Sequence, residues 1–422
     1  MKFVLAFYGS RGDVEPGVAV GRELLRRGHD VRVAVPPDLL DFAESAGLTA
    51  QAYGLDTRAW MEVHRDFSTR LFHNFWKINE LRKLWEEVWA PVSRCWEEIG
   101  TTLMSLSNDA DLIFTGLVFE QPAANVAEYY EIPLATYHYT PARVNGHLVP
   151  FIPAPLIRLG ISMDHWLGWR RTKKVEDAQR RELRLPEATG PASRRITDRG
   201  SLEIQAYDAI CFPGLAADWA RWKNQRPFVG ALTMELPTDA DEEVASWVAA
   251  GSPPIFFGFG SIAVGSPADT LAMITGACSQ LGERAVVCAG WSDFTDLPHA
   301  EHVKIVSAVN YAAIFPSCRA VVHHGGTGST AAGLRAGVPT LILRTLLDDV
   351  VWGAAIKRLK VGTARRFSAT TEQSLVEDLR TILARDYVDR ARQVGSRMTK
   401  SADSVVATAD LVEEFARLQH VG

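Results

Sequence analysis

Val321-Val-His-His-Gly-Gly-Thr-Gly-Ser-Thr330 is the stretch from which the rest of the chain is read. A short apolar run ends in two histidines, passes through glycines, and reaches Ser329-Thr330, which open a helix expected over about Ala331–Ala336. Amides at such a helix start are unsatisfied and suit a diphosphate, and a histidine beside them donates to the same oxygens. Side chains alternate along a strand, so the two histidines point to opposite faces. His323 is read as structural and His324 as the ligand contact.

Two more glycine turns follow apolar runs. Gly9-Ser-Arg-Gly-Asp-Val-Glu-Pro16 leads into a helix over Val14–Arg27, which Gly28 stops. Asp13 enters that helix in its first turn, where its charge interacts well with the helix dipole. Phe256-Phe-Gly-Phe-Gly-Ser261 follows another apolar run, and its glycines let backbone approach a ligand while Ser261 offers a hydroxyl to a phosphate oxygen.

Outward from these turns, strands alternate with helices in two blocks. The first holds strands expected at Phe3–Tyr8, Asp30–Val35, Asp111–Thr115, Leu134–Tyr137 and Ala209–Phe212. The second restarts at Ile255–Phe259 and continues through Ala285–Ala289, Val303–Val306, Ala320–His323 and Thr340–Leu343. Strand–helix alternation predicts parallel βαβ units in doubly wound sheets, with ligands at the carboxyl edges of the strands. An acidic, proline-containing stretch from Glu235 and the Gly251-Ser-Pro-Pro254 run mark a linker. The expected division is a first domain over 1–235, a linker over 236–252, and a second domain over 253–400. A C-terminal segment over 401–422, with a helix at about Ala402–Leu418, can pack back on the first domain.

Composition narrows the function classes. The 422 residues are 47% hydrophobic and 23% charged, which suits a globular chain and excludes disorder or coiled coil as a description of the whole. Fifty acids against 45 bases give a net charge of −5, which argues against nucleic acid as a partner. Five widely spaced cysteines with no CxxC pair read as buried thiols in a reducing compartment. The apolar start Met1–Tyr8 is too short for a signal-peptide core, and no run of about 18 apolar residues occurs, so a cytoplasmic protein is expected. No turn fits the dinucleotide fingerprint or a P-loop. Asp109-Ala-Asp111 precedes a strand and Asp239-Ala-Asp241 lies in the linker, so both read as loop charges and no metal is implied.

Five tryptophans (Trp60, Trp76, Trp85, Trp89, Trp96) and a second cluster, Trp166 and Trp169 beside Arg170, Arg171, Lys173 and Lys174, leave two readings open. One is helical core with a solvated basic face. The other is a wall for a bulky apolar substrate, or a surface resting on an anionic bilayer.

The three turns, in this order and spacing, resemble the inverting nucleotide-sugar glycosyltransferases of the GT-B fold, two Rossmann-like domains facing across a cleft. The chain looks most like the mycobacterial glycolipid and glycopeptidolipid glycosyltransferases, and beside them the sterol glucosyltransferases and glycopeptide-antibiotic glycosyltransferases. The resemblance implies roles for the matching positions. Asp13 would be the catalytic base, with Ser10 and Arg11 in the acceptor loop. Ser261, His324, Gly326, Gly328 and Ser329 would hold the donor diphosphate, and Ala308 and Val309 the nucleotide base. The family's Asp-Gln-Pro-Phe-Trp-Gly segment reads Asp348-Asp-Val-Val-Trp-Gly353 here, so Asp348, Asp349 and Trp352 would meet the donor sugar. An ionised carboxylate at Asp349 only accepts hydrogen bonds where the family's amide also donates. A donor other than glucose is expected from that change, and the mycobacterial resemblance implies a deoxysugar such as rhamnose.

The resemblance further implies a dTDP- or UDP-linked sugar as co-substrate, no other cofactor, and a lipid, glycopeptidolipid or sterol-like acceptor reached by peripheral membrane contact. Two other classes share this architecture: a non-hydrolysing sugar-nucleotide epimerase, and a nucleotide-binding protein that has lost its chemistry. Asp13 and His324 together argue against the second.

Overall fold

The computed structural model describes residues 1–57, 78–148, 152–260, 265–290, 292, 294, 297–345 and 349–420. Ten strand pairings, all parallel, build two six-stranded sheets. In the first, β1 (Lys2–Ala6), β2 (Asp30–Val35), β3 (Ala50–Ala52), β4 (Leu112–Thr115), β5 (Leu134–His138) and β6 (Leu202–Gln205) lie in the order β3-β2-β1-β4-β5-β6. The second holds β7 (Ile255–Gly258), β8 (Ala285–Cys288), β9 (Val303–Val306), β10 (Ala320–His323), β11 (Thr340–Arg344) and β12 (Gly362–Arg366), ordered β12-β11-β10-β7-β8-β9.

Parallel sheets covered on both faces need strands that are apolar throughout. Phe3, Val4, Leu5 and Ala6 are all at 0% exposure, with Phe3 and Leu5 packing on one face and Val4 and Ala6 on the other. Helix Arg11–Arg26 lies close on β1: a side chain at Gly17 would stand 2.1 Å from the Phe7 ring. In both sheets the strand order reverses beside the first strand, between β1 and β4 and between β7 and β10. Such switch points open crevices at the carboxyl ends.

Several elements differ from the sequence expectation. Ala209–Phe212 is not a strand; a 3-10 turn covers Ala209–Cys211, and the sixth strand is Leu202–Gln205. That strand hides from an apolar-run criterion because it buries Glu203 and Gln205, whose charge and amide find partners far away in sequence. Edge strands β3 and β12 are short or charged, as strands with one open edge tend to be, and carry little apolar signal. Helix Thr327–Ala336 starts four residues ahead of the expected Ala331, because Gly326 serves as its N-cap.

The chain crosses twice between the two units. Asp208 accepts from the Thr399 amide at 2.8 Å and its hydroxyl at 2.7 Å, and Arg335 reaches the Thr233 hydroxyl at 2.8 Å. Beyond that knot, helix Ser401–His420 joins the core of the first sheet through Ala409, Val412 and Ala416. Arg27 pairs there with Asp410 at 2.7 Å, and His29 with Glu413 at 2.9 Å. All five cysteines are buried free thiols.

Candidate active site

At the first switch point the chain leaves β1 through Phe7-Tyr8-Gly9-Ser10 and turns into helix Arg11–Arg26. Ser10 is the N-cap and Asp13 the third helical residue. The Ser10 amide donates to Asp13 Oδ2 at 2.7 Å, and the Ser10 hydroxyl donates to the same oxygen at 2.8 Å. Tyr137 on β5 donates its hydroxyl to the Asp13 carbonyl. These bonds set the plane of a half-buried carboxylate at the crevice. Gly9 sits at φ +124°, and a Cβ there would stand 2.5 Å from Asp13 Oδ2, so the turn demands glycine twice over. Asp13 therefore completes the capping box with Ser10 in any case, a role compatible with taking a proton.

Phe119 stands across the crevice, at the end of the loop after β4. Its φ of 59° is left-handed, rare for a bulky residue, and its ring meets Tyr8 edge-on at 5.1 Å. The next residue anchors it. Buried Glu120 receives both Arg143 nitrogens, Nη1 at 2.8 Å and Nη2 at 2.9 Å, and Arg143 Nε bonds Glu203 on β6. Burial alone would raise the Glu120 carboxyl, but Arg143, with His138 nearby, holds it down to about 2. Breaking a buried pair strands its remaining charges. Arg143→Met is accordingly expected to destabilise the fold by about 3–5 kcal/mol, read as a lower urea midpoint. An unchanged midpoint would show that this network does not hold the loop.

At the second switch point, β10 ends on His323 and His324 follows it. Their rings lie edge-on to one another, with 6.1 Å between centroids. His323 is 2% exposed, and its Nδ1 accepts the Gly325 amide at 3.0 Å. Half-buried His324 lies between two glycines from separate turns. A Cβ on Gly260 would stand 2.6 Å from its Cε1, and one on Gly326 2.7 Å from its Nε2. The turn after β7 and the start of helix Thr327–Ala336 thus form a slot for this imidazole. Gly328 and Ser329 lie in the first turn of the helix, where amides lack intrahelical acceptors. The Ser329 side chain meets the Tyr311 hydroxyl, and Tyr311 stacks on Phe315 at 4.6 Å.

The other expected site residues fall as follows. Exposed Ala308 and buried Val309 follow β9, with Val309 in the core below. Arg11 pairs with Glu15 at 3.1 Å, lies 4.6 Å above the Phe42 ring, and its charge reaches Cys288 and Tyr311 of the second unit. It therefore faces the second unit as well as its own. Ser261 and Asp348 lie outside the described residues, as do Trp60 and Trp76, and Asp349 begins helix Asp349–Leu359.

Trp352 departs from the expected sugar contact. It is 2% exposed, its ring meets Phe212 at 5.2 Å, and its indole donates to Thr327 Oγ1 at 2.8 Å. Thr327 in turn donates to the Tyr139 carbonyl at 3.3 Å. The tryptophan links the two units instead of facing an open sugar site, because the apolar turn at Ala209–Phe212 lies against it. Sequence reasoning missed Thr327, Phe119, Glu120 and Arg143. The first sat unassigned inside the glycine motif; the others carried no local signal.

Both strand-end histidines have a pH consequence. His323 is pushed down to about 3 by burial and then by His324, and His138 is lowered by burial and then by Arg143. Each stays neutral in the fold while the unfolded chain protonates it below about 6.5. The unfolded state then binds more protons, so stability falls as pH drops below 6.5, for His323 by up to about 1.4 kcal/mol per pH unit until its folded value near 3 is reached. Urea midpoints on either side of pH 6.5 measure this, and a flat profile would contradict it.

Residues 3–96 match the glycosyltransferase family 28 N-terminal domain, and residues 261–416 match the erythromycin biosynthesis protein CIII-like C-terminal domain. The chain is 58% identical, over 99% of both sequences, to an uncharacterized glycosyltransferase of Mycobacterium tuberculosis. It is 27% identical to a sterol 3-beta-glucosyltransferase of Arabidopsis thaliana, over 97% of this chain and 67% of that one. Two solved structures share the fold. The glycotransferase of kitacinnamycin has a TM-score of 0.71 over 98% of each chain at 16% identity. The glycosyltransferase VinC in complex with dTDP has a TM-score of 0.64 over 100% of each chain at 17% identity. Among the described residues, no group of three or more His, Cys, Asp or Glu is placed to hold a metal ion, and no helix is long and apolar enough to cross a membrane.

Proposed function

The chain belongs to the GT-B glycosyltransferases, and from that premise we propose a metal-independent, inverting transfer of a hexose or deoxyhexose from a dTDP- or UDP-sugar to a hydroxyl of a lipid-like acceptor. The observation that carries this reading is the pair of switch points: a fixed carboxylate, Asp13, at one, and a slotted imidazole beside a helix start, His324, at the other. The Asp13 carboxylate takes the proton of the acceptor hydroxyl. The acceptor oxygen bonds to the anomeric carbon from the face opposite the diphosphate. The bond from that carbon to the phosphate oxygen breaks, and its electron pair leaves with the diphosphate. His324 and the amides of Gly328 and Ser329, joined by Ser261 as the family resemblance implies, stabilise the growing charge, the task a metal serves elsewhere. Inversion follows from the single displacement.

A dTDP-linked donor is favoured by the complex of VinC with dTDP. A sterol-like or glycopeptidolipid acceptor is favoured by the plant sterol glucosyltransferase and by the resemblance noted above. A lipid acceptor brings the protein to a membrane surface. The test is incubation with dTDP- and UDP-sugars, with and without lipid acceptors and with EDTA, read by mass spectrometry of the products. A glycosylated lipid with inverted anomeric configuration, formed in EDTA, is expected. Sugar-nucleotide interconversion without acceptor would establish an epimerase instead. A thermal-shift panel of the same nucleotides reads donor choice separately, because a ligand of the native state raises its melting temperature.

A further inference from the structure

Among the described residues, six of the eleven exposed large apolar side chains lie between positions 152 and 167: Ile152, Leu156, Leu159, Met163, Trp166 and Leu167. They are ordered, not scattered. Leu156, Leu159, Met163 and Trp166 repeat at steps of three and four along helix Ala154–Glu182, which puts them on one stripe facing solvent, each 48–59% exposed. The inner face of the same helix is held largely by polar contacts. Trp96 donates to Gln179 at 2.8 Å, Arg180 pairs with Glu128 at 3.0 Å, and Arg195 pairs with Glu176 at 2.8 Å. Within the stripe's own turns Ile157 is buried while Leu156 and Leu159 are exposed, so the stripe is not the side by which the helix joins its own domain.

Charge identifies what the stripe meets. Between Ile152 and Lys174 stand five Lys and Arg against one acid, Asp164, in a chain whose net charge is −5. One helical step beyond Trp166 the stripe turns basic, with exposed Arg170 5.6 Å above the Trp166 ring and Arg171 and Lys174 exposed beside it. The apolar end is tied to the loop after β5: Arg158 pairs with Asp218, Asp218 accepts the Gly146 amide at 2.7 Å, and His165 bonds the Ala142 carbonyl at 3.0 Å. Thr327, at the start of the second unit's glycine-motif helix, bonds the Tyr139 carbonyl in that same loop. An apolar stripe edged with bases suits an interfacial helix.

We propose that the outward stripe of helix Ala154–Glu182 docks on an anionic lipid bilayer, inserting Leu156, Leu159, Met163 and Trp166 while Arg170 and Lys174 meet the headgroups. This deepens the lipid-acceptor reading and rests on it for its purpose. Its test needs neither donor nor acceptor, so either idea can fail alone.

The full chain is pelleted with vesicles of phosphatidylcholine, or of phosphatidylcholine and phosphatidylglycerol in equal parts. Pelleting with the anionic vesicles only, weakened by salt, is expected. Leu159→Ser with Met163→Ser should weaken it about tenfold or more. Arg170→Gln and Lys174→Gln should each weaken it about fivefold. All four positions are exposed, so melting temperatures should stay at the parent value. No pelleting with anionic vesicles would overturn the proposal, as would equal pelleting with both kinds. So would light scattering that shows a dimer dissociated by the Leu159/Met163 pair, since the stripe would then be a self-association surface.

Discussion

Asp13→Asn is expected to lower turnover by about 10²–10⁴-fold, the usual worth of a general base, while nucleoside diphosphate affinity stays where it was. The choice of asparagine matters. Asp13 Oδ2 accepts two hydrogen bonds from Ser10, and the amide oxygen of asparagine accepts both in the same geometry. Helix Arg11–Arg26 keeps its cap, so the fold survives and only proton uptake is lost. Asp13→Ala would remove cap and base together and mix the two effects. The measurement is kcat alongside calorimetric titration of dTDP and UDP. Unchanged turnover with Asn would remove Asp13 from the chemistry and leave it a helix cap. A matching fall in nucleotide affinity would place its role on the donor side.

The second large effect is at His324. Removing a preorganised donor to developing charge costs about 10²–10³-fold, and His324→Ala should show that loss in kcat/KM together with weaker diphosphate binding. The slot gives a sharper test. Gly326 has φ −57°, which any residue adopts, so Gly326→Ala brings no backbone strain. Its new methyl would stand 2.7 Å from His324 Nε2, at the movable end of that side chain. The ring has to turn away, and Gly326→Ala should lose much of what His324→Ala loses. With the imidazole gone, the methyl has nothing to displace. The double variant should then be no worse than His324→Ala alone, a coupling that a double-mutant cycle measures directly. Additive losses would mean that Gly326 matters for its own amide and not for the position of the ring.

The turns that carry these two residues were legible because each follows a strand buried on both faces. Phe3 to Ala6 and Ala320 to His323 form short apolar runs that stop at glycine, and in a doubly wound sheet a central strand ends at the crevice. Strand β6 was hidden because Glu203 and Gln205 read as polar, and their burial is compensated by Arg143, Arg226 and His138 from other segments. Trp352 read as a sugar contact because its motif places it near the donor. Its ring lies instead against Phe212, 140 positions earlier, and that meeting depends on how the two units pack.

Local pattern by itself determined the apolar strands, the presence of the helices that follow them and the glycine turns between, since each follows from the periodicity and backbone freedom of a few consecutive residues. Tertiary structure alone decided that Gly260 and Gly326 close on opposite sides of His324, that Phe119 is left-handed above a buried ion network, and that the stripe of helix Ala154–Glu182 faces outward. A helical repeat specifies which residues share a face, but what that face meets is set by residues far away in the chain.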